Sequence, residues 1–130
     1  MAQNPHPRAI DMSSPNFEQL HSKNIDDLYE VLGRSLVSPE YPGTAVVTKQ
    51  VATQRGRAFV SGSLDKLRTK ICVDWHYCDK RTQYVNFQAL ANAVAPLVSS
   101  AVGVPIATAI IVAIILIKLG LNDLCKCPGA

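Results

Sequence analysis

The sequence predicts a mainly α-helical protein: a small amphipathic helical head, with room for a short β-hairpin at 44–61, followed by a C-terminal apolar helix or helical hairpin. Three observations carry this. Residues 82–117 hold no Asp, Glu, Lys, Arg or His, an uncharged run of 36 residues. Upstream, apolar side chains recur at helical spacing in two charged segments. Ser-Pro, Pro-Gly and Gly-Val-Pro clusters mark where these runs stop. The chain divides accordingly into a loose N-terminal tail (1–13), the head (14–81), the apolar segment (82–124, broken at 103–105) and a cysteine-containing tail (125–130).

Taken in order, Pro5 and Pro7 discourage regular structure in the tail. Ser14 as cap and Pro15 at the first helical position predict a helix start. A clearer helix follows in NIDDLYEVLGRSLV, with Asn24 as cap and Asp26 and Asp27 in the first turn, where the helix dipole favours negative charge. Ile25, Leu28, Tyr29, Leu32 and Leu36 form its apolar stripe. Ser38-Pro39 and Pro42-Gly43 end it. The Val- and Thr-rich stretch 44–61 is ambiguous, and Arg55-Gly56-Arg57 leaves room for a hairpin turn. Such a hairpin is marginal alone and needs a cover. Ser63 is placed as the cap of the next amphipathic helix, SLDKLRTKICVDWHYCDKR, whose Leu64, Leu67, Ile71 and Trp75 share a face.

The apolar segment decides most about function. As one straight helix its 36 uncharged residues would span about 54 Å, too long for one crossing of a hydrocarbon core about 30 Å thick. Residues 95–117 alone would span about 34 Å, which fits one tilted crossing. Gly103-Val104-Pro105 reads as a stop and a restart, predicting two helices over 83–102 and 105–124. The first is rich in small residues. Ala91, Ala95, Ser99, Gly103 and Ala107 recur every four positions, a ladder on which a second helix can pack closely, and they are the expected self-association surface. The second, IIVAIILI, is apolar all round and must be surrounded by lipid or by protein.

Trp75, Tyr77, Lys80, Arg81 and Tyr84 precede the apolar run, where interfacial aromatic and basic side chains are expected if the segment enters a bilayer. Their alternative is core packing. Residues 49–81 carry eight basic and three acidic side chains, whereas residues 1–48 carry three and six. The basic stretch suits anionic headgroups or a solvated helix face. It lacks the aromatic interleaving and motifs of a nucleic-acid binder, so nucleic acid is not an expected partner. The N-terminal stretch MAQNPHPRAIDMSSPN lacks the apolar centre of a secretory signal, so cytosolic synthesis and reduced cysteines are expected.

Cys72 and Cys78 form a C-x5-C pair; Cys125 and Cys127 form C-x-C. Together with His76, four thiols offer enough ligands for zinc, although the spacing is not that of a standard zinc motif. A crossing by residues 95–117 would put the two pairs on opposite sides of a bilayer, so a metal site belongs only to a folded-back or soluble arrangement. No phosphate-cradling loop, nucleophile elbow or two-histidine metal helix occurs, and no enzyme is expected. The leading expectation is a non-enzymatic membrane-associated helical protein with a cytoplasmic head. It would be either an oligomerising membrane-perturbing effector or a tail-anchored adaptor whose head binds a protein partner. The alternative is a soluble, cytoplasmic all-α interaction module, oligomeric or not, with residues 105–121 as its buried core helix and the cysteines as a metal site.

Overall fold

Asn24 does what its position predicts: its Oδ1 accepts the Asp27 N–H at 2.8 Å and starts a helix over Ile25–Val37. The structure, a computed structural model, describes residues 17–37 and 47–128. Its elements are α1 (Phe17–Ser22), α2 (Ile25–Val37), α3 (Lys49–Arg68), α4 (Tyr77–Lys80), α5 (Phe87–Val102), α6 (Ile106–Leu119) and α7 (Leu121–Cys125). A π-type segment, Thr69–Asp74, continues α3, and a 3-10 turn, Arg81–Gln83, follows α4. The described residues contain no strand, so the mainly α class holds. The predicted helix start at Ser14-Pro15 and the stops at Ser38-Pro39 and Pro42-Gly43 lie outside the described residues.

The hairpin for which the sequence left room does not form among the described residues. Residues 49–61 belong to one 20-residue helix, α3, and Ser63 lies inside it rather than capping a new one. The actual cap is Thr48, whose hydroxyl accepts the Val51 N–H at 3.1 Å. Ala52, Gly56, Val60 and Leu67 line the buried face of α3. That face packs along α2 at a distance only glycine permits. A Cβ on Gly33 would collide with the carbonyl of Ala52, and one on Gly56 with the carbonyl of Tyr29. Gly56 thus marks a close helix crossing, not a turn. Packing along α2 overrides the weak strand preference of the Val and Thr residues.

The break in the apolar segment falls where the sequence puts it. Asn86 caps α5, its Oδ1 accepting the Ala89 N–H at 3.0 Å. Gly103 ends α5 in the left-handed conformation at φ 71°, and α6 starts after Pro105. The chain turns through 114° between the two helices, so the break is a fold-back, not a slight kink. Ser99 reinforces the corner by donating to the Val104 carbonyl at 2.6 Å. The second helix is shorter than the predicted 105–124. Gly120, at φ 111°, ends it and lets α7 leave in a new direction.

One core joins the predicted head and the apolar segment. At its centre lies α6, against which α1, α2, α5 and α7 pack. Leu28 and Leu32 from α2, Leu67 from α3, Val94 and Val98 from α5, and Ile114 and Ile115 from α6 are all without solvent exposure.

Candidate functional site: a buried apolar helix and its disulfide-bonded end

Every residue from Ile111 to Leu116 is buried, as are Thr108 and Ala109. Six consecutive positions exceed the 3.6 residues of one turn, so the chain's own helices cover α6 on every side there. Only its ends emerge, with Ile106 and Leu119 each 51% exposed. Thr108 is the one buried polar side chain among the described residues, and its hydroxyl lies 2.6 Å from that of Ser35 on α2. This bond satisfies a group whose burial would otherwise be costly.

Beyond the C-terminal end of α6 the chain is fastened twice. Cys72 is bridged to Cys125 and Cys78 to Cys127. The expectation of reduced cysteines is therefore corrected. Cys72 lies in the π-type segment and Cys78 in α4, on either side of His76, which adopts the left-handed conformation at φ 61°. That reversal swings α4 back beside α7, so both cysteine pairs face each other in the same order. Polar bonds run alongside. Asn122 Oδ1 accepts from Tyr77 Oη at 3.0 Å and from Arg81 at 3.2 Å, Arg81 also donates to the Pro128 carbonyl at 2.9 Å, and Arg68 donates to the Leu124 carbonyl at 3.4 Å. Burial raises the Tyr77 hydroxyl above the usual phenol range, partly offset by the Arg81 guanidinium.

The sequence-predicted site residues fall into place around these two features. Tyr77 is buried, and Trp75 stacks with it and meets Tyr84 at a tilt, with ring centroids 6.4 and 5.5 Å away. Lys80 Nζ lies 5.5 Å from the Trp75 ring centre. In this fold the expected interfacial cluster, Arg81 included, braces the disulfide-bonded end. The small-residue ladder is split. Ala91 and Ala95 are buried inside the chain, Ser99 and Gly103 form the corner, and Ala107 lies on α6 beyond the 114° turn. The five do not form one straight surface here, because Ala91 and Ala95 are buried and the 114° bend separates Ala107 from the rest.

The same bridges involve every cysteine of the expected metal arrangement. Cys72, Cys78, Cys125 and Cys127 come together, yet as disulfides they offer no thiolate, and His76 between the first two is exposed. No group of three or more His, Cys, Asp or Glu suited to a metal occurs among the described residues. Much of the basic stretch is engaged within the chain: Arg57 with Asp26, Lys49 with Asp27 at 3.5 Å, and Arg68 with Asp65 at 3.1 Å. Sequence reasoning missed Asn122, Gly33 and the bridging itself. The even number of cysteines, grouped as two short pairs far apart in the chain, was the available signal for the last. No family model, curated protein or solved structure matches the chain.

Proposed function

We propose that this chain is a non-enzymatic helical interaction protein that works folded in an oxidising compartment, keeping α6 from water inside its own bundle. The observation that carries this reading is the unbroken burial of Ile111–Leu116. A helix apolar all round needs either lipid or protein around it, and here protein supplies the cover. The two disulfides support the compartment, because such bonds persist outside the reducing cytosol. On this reading the partner is a protein that docks on the polar exterior of α2 and α3. The test is to express the chain with its bridges intact and without detergent, then separate soluble protein from carbonate-washed membranes. Monodisperse protein in the soluble fraction is the expected result. Recovery in the washed membranes would overturn it.

A membrane-perturbing effector is the second reading, favoured by one specific observation. No single described helix is long and apolar enough to cross a membrane, but α5 and α6 taken together satisfy length and composition across their bend. The bundle would then be the resting form of a protein that releases this pair into a bilayer.

A further inference from the structure

The two disulfides close a covalent loop around the α5–α6 pair. Cys78 precedes Phe87, the first residue of α5, by nine positions, and Cys125 follows Leu119, the last of α6, by six. The bridges hold the ends of this loop together, with Cα atoms 5.2 and 5.3 Å apart. A single crossing by residues 95–117 puts Cys72 and Cys78 on one side of a bilayer and Cys125 and Cys127 on the other, which either bridge forbids. A folded-back entry is allowed, but its arms are short. The 16 residues of α5 reach about 24 Å and the 14 of α6 about 21 Å, against a hydrocarbon core about 30 Å thick.

Resting on the effector reading, we propose that the paired disulfides are a redox lock, and that their reduction lets α5 and α6 straighten into one membrane-spanning helix. A dithiol reductant supplies the electrons. Its thiolate attacks one sulfur of a bridge, the S–S bond breaks through a mixed disulfide, and the second reductant thiol displaces the protein thiol. Each bridge thus yields two cysteine thiols and one molecule of oxidised reductant. Cys72, Cys78 and Cys125 are half-buried, whereas Cys127 is 8% exposed. The Cys72–Cys125 bridge is therefore the first that a reductant reaches, and one surviving bridge keeps the lock. Release leaves the bonds of Asn122, Arg81 and Arg68 and the packing of Leu121 and Leu124 to hold this segment. Between Ile117 and Cys127 the charged side chains that must cross are Lys118, Asp123 and Lys126. The charged head stays behind, and its basic segment 49–81 suits an anionic surface.

The test uses the full chain, a dithiol reductant and sealed vesicles of phosphatidylcholine and phosphatidylserine. Oxidised protein is expected to stay at the bottom of a flotation gradient. Reduced protein is expected to float, with the bound-to-free ratio rising at least about tenfold. After reductant is removed, a membrane-impermeant maleimide should label Cys72 and Cys78 of the floated protein, and label Cys125 and Cys127 only once detergent is added. A quadruple variant, C72S/C78S/C125S/C127S, should float without reductant. Ile114→Lys should abolish flotation of the reduced chain. Labelling of all four thiols before detergent would overturn the spanning helix, even if reduced protein floats. Equal flotation of oxidised and reduced protein would overturn the lock while leaving the effector reading standing. Flotation of neither would end both.

Discussion

Gly33 and Gly56 carry the α2–α3 crossing, each lying against a backbone carbonyl of the facing helix. Replacing a helical glycine with alanine ordinarily stabilises by about 0.5–1 kcal/mol. At Gly33 the sign reverses, because the added carbon must push the helices apart. Gly33→Ala is expected to lose about 1–3 kcal/mol in urea unfolding, the usual range for overpacking. Gly62→Ala, on the same pair of helices but with open space around it, is expected to gain about 0.5–1 kcal/mol. Tyr77 supplies a pH signature at this scale. Its folded pKa lies above the unfolded value of 10.0, with burial as the cause and Arg81 as a partial offset. The neutral phenol is the form the fold prefers. Its contribution is complete below pH 10 and is lost as pH rises through the folded value. Stability measured across alkaline pH should therefore fall less steeply in Tyr77→Phe than in the unaltered chain. Neither glycine could be recognised from the sequence, since a close crossing depends on a partner helix far along the chain.

Elements differ in how far local pattern decides them. The α2 helix was legible because cap, first-turn acids and apolar stripe agree. The α5–α6 corner was legible because Gly103 readily takes the left-handed conformation that ends a helix, and Pro105, which lacks a backbone N–H, suits the start of the next. By contrast, the first two thirds of α3 left helix and hairpin both open. Its Val, Thr and Arg-Gly-Arg pattern is locally ambiguous, and only the contact with α2 resolves it. Along α6 the surroundings, not the residue type, set the cost of a change. Ile114 has no exposure and Ile106 is 51% exposed. Ile114→Ala is expected to lose about 2–5 kcal/mol by leaving a cavity, and Ile106→Ala less than half as much, both read from urea midpoints.

The whole molecule is held by two bridges that are not independent. One closes 53 residues and the other 49. In the chain-entropy account the first long loop contributes about 4 kcal/mol. Once it is closed, the second adds only the restriction of the short ring between the cysteine pairs, about 2.5 kcal/mol. Removing either bridge alone, as C72S/C125S or C78S/C127S, should thus lose about 2.5 kcal/mol, and removing both should lose more than the two single losses together. Additive losses in urea unfolding would contradict this.

By itself, the sequence determined what depends on nearest neighbours: the helical class, the cap at Asn24, the corner at 103–105 and the uncharged run with no polar face. These follow from backbone restriction and from periodicity within a turn or two. Tertiary structure decided what depends on residues far apart in the chain. It wrapped α6 in protein, buried Ala91 and Ala95 of the small-residue ladder, joined α3 into one helix and paired the cysteines across separations of 53 and 49 residues. An apolar helix has the same sequence whether lipid or protein surrounds it, because the hydrophobic effect is non-directional and rewards removal from water alone. Only the positions of the other helices distinguish the two.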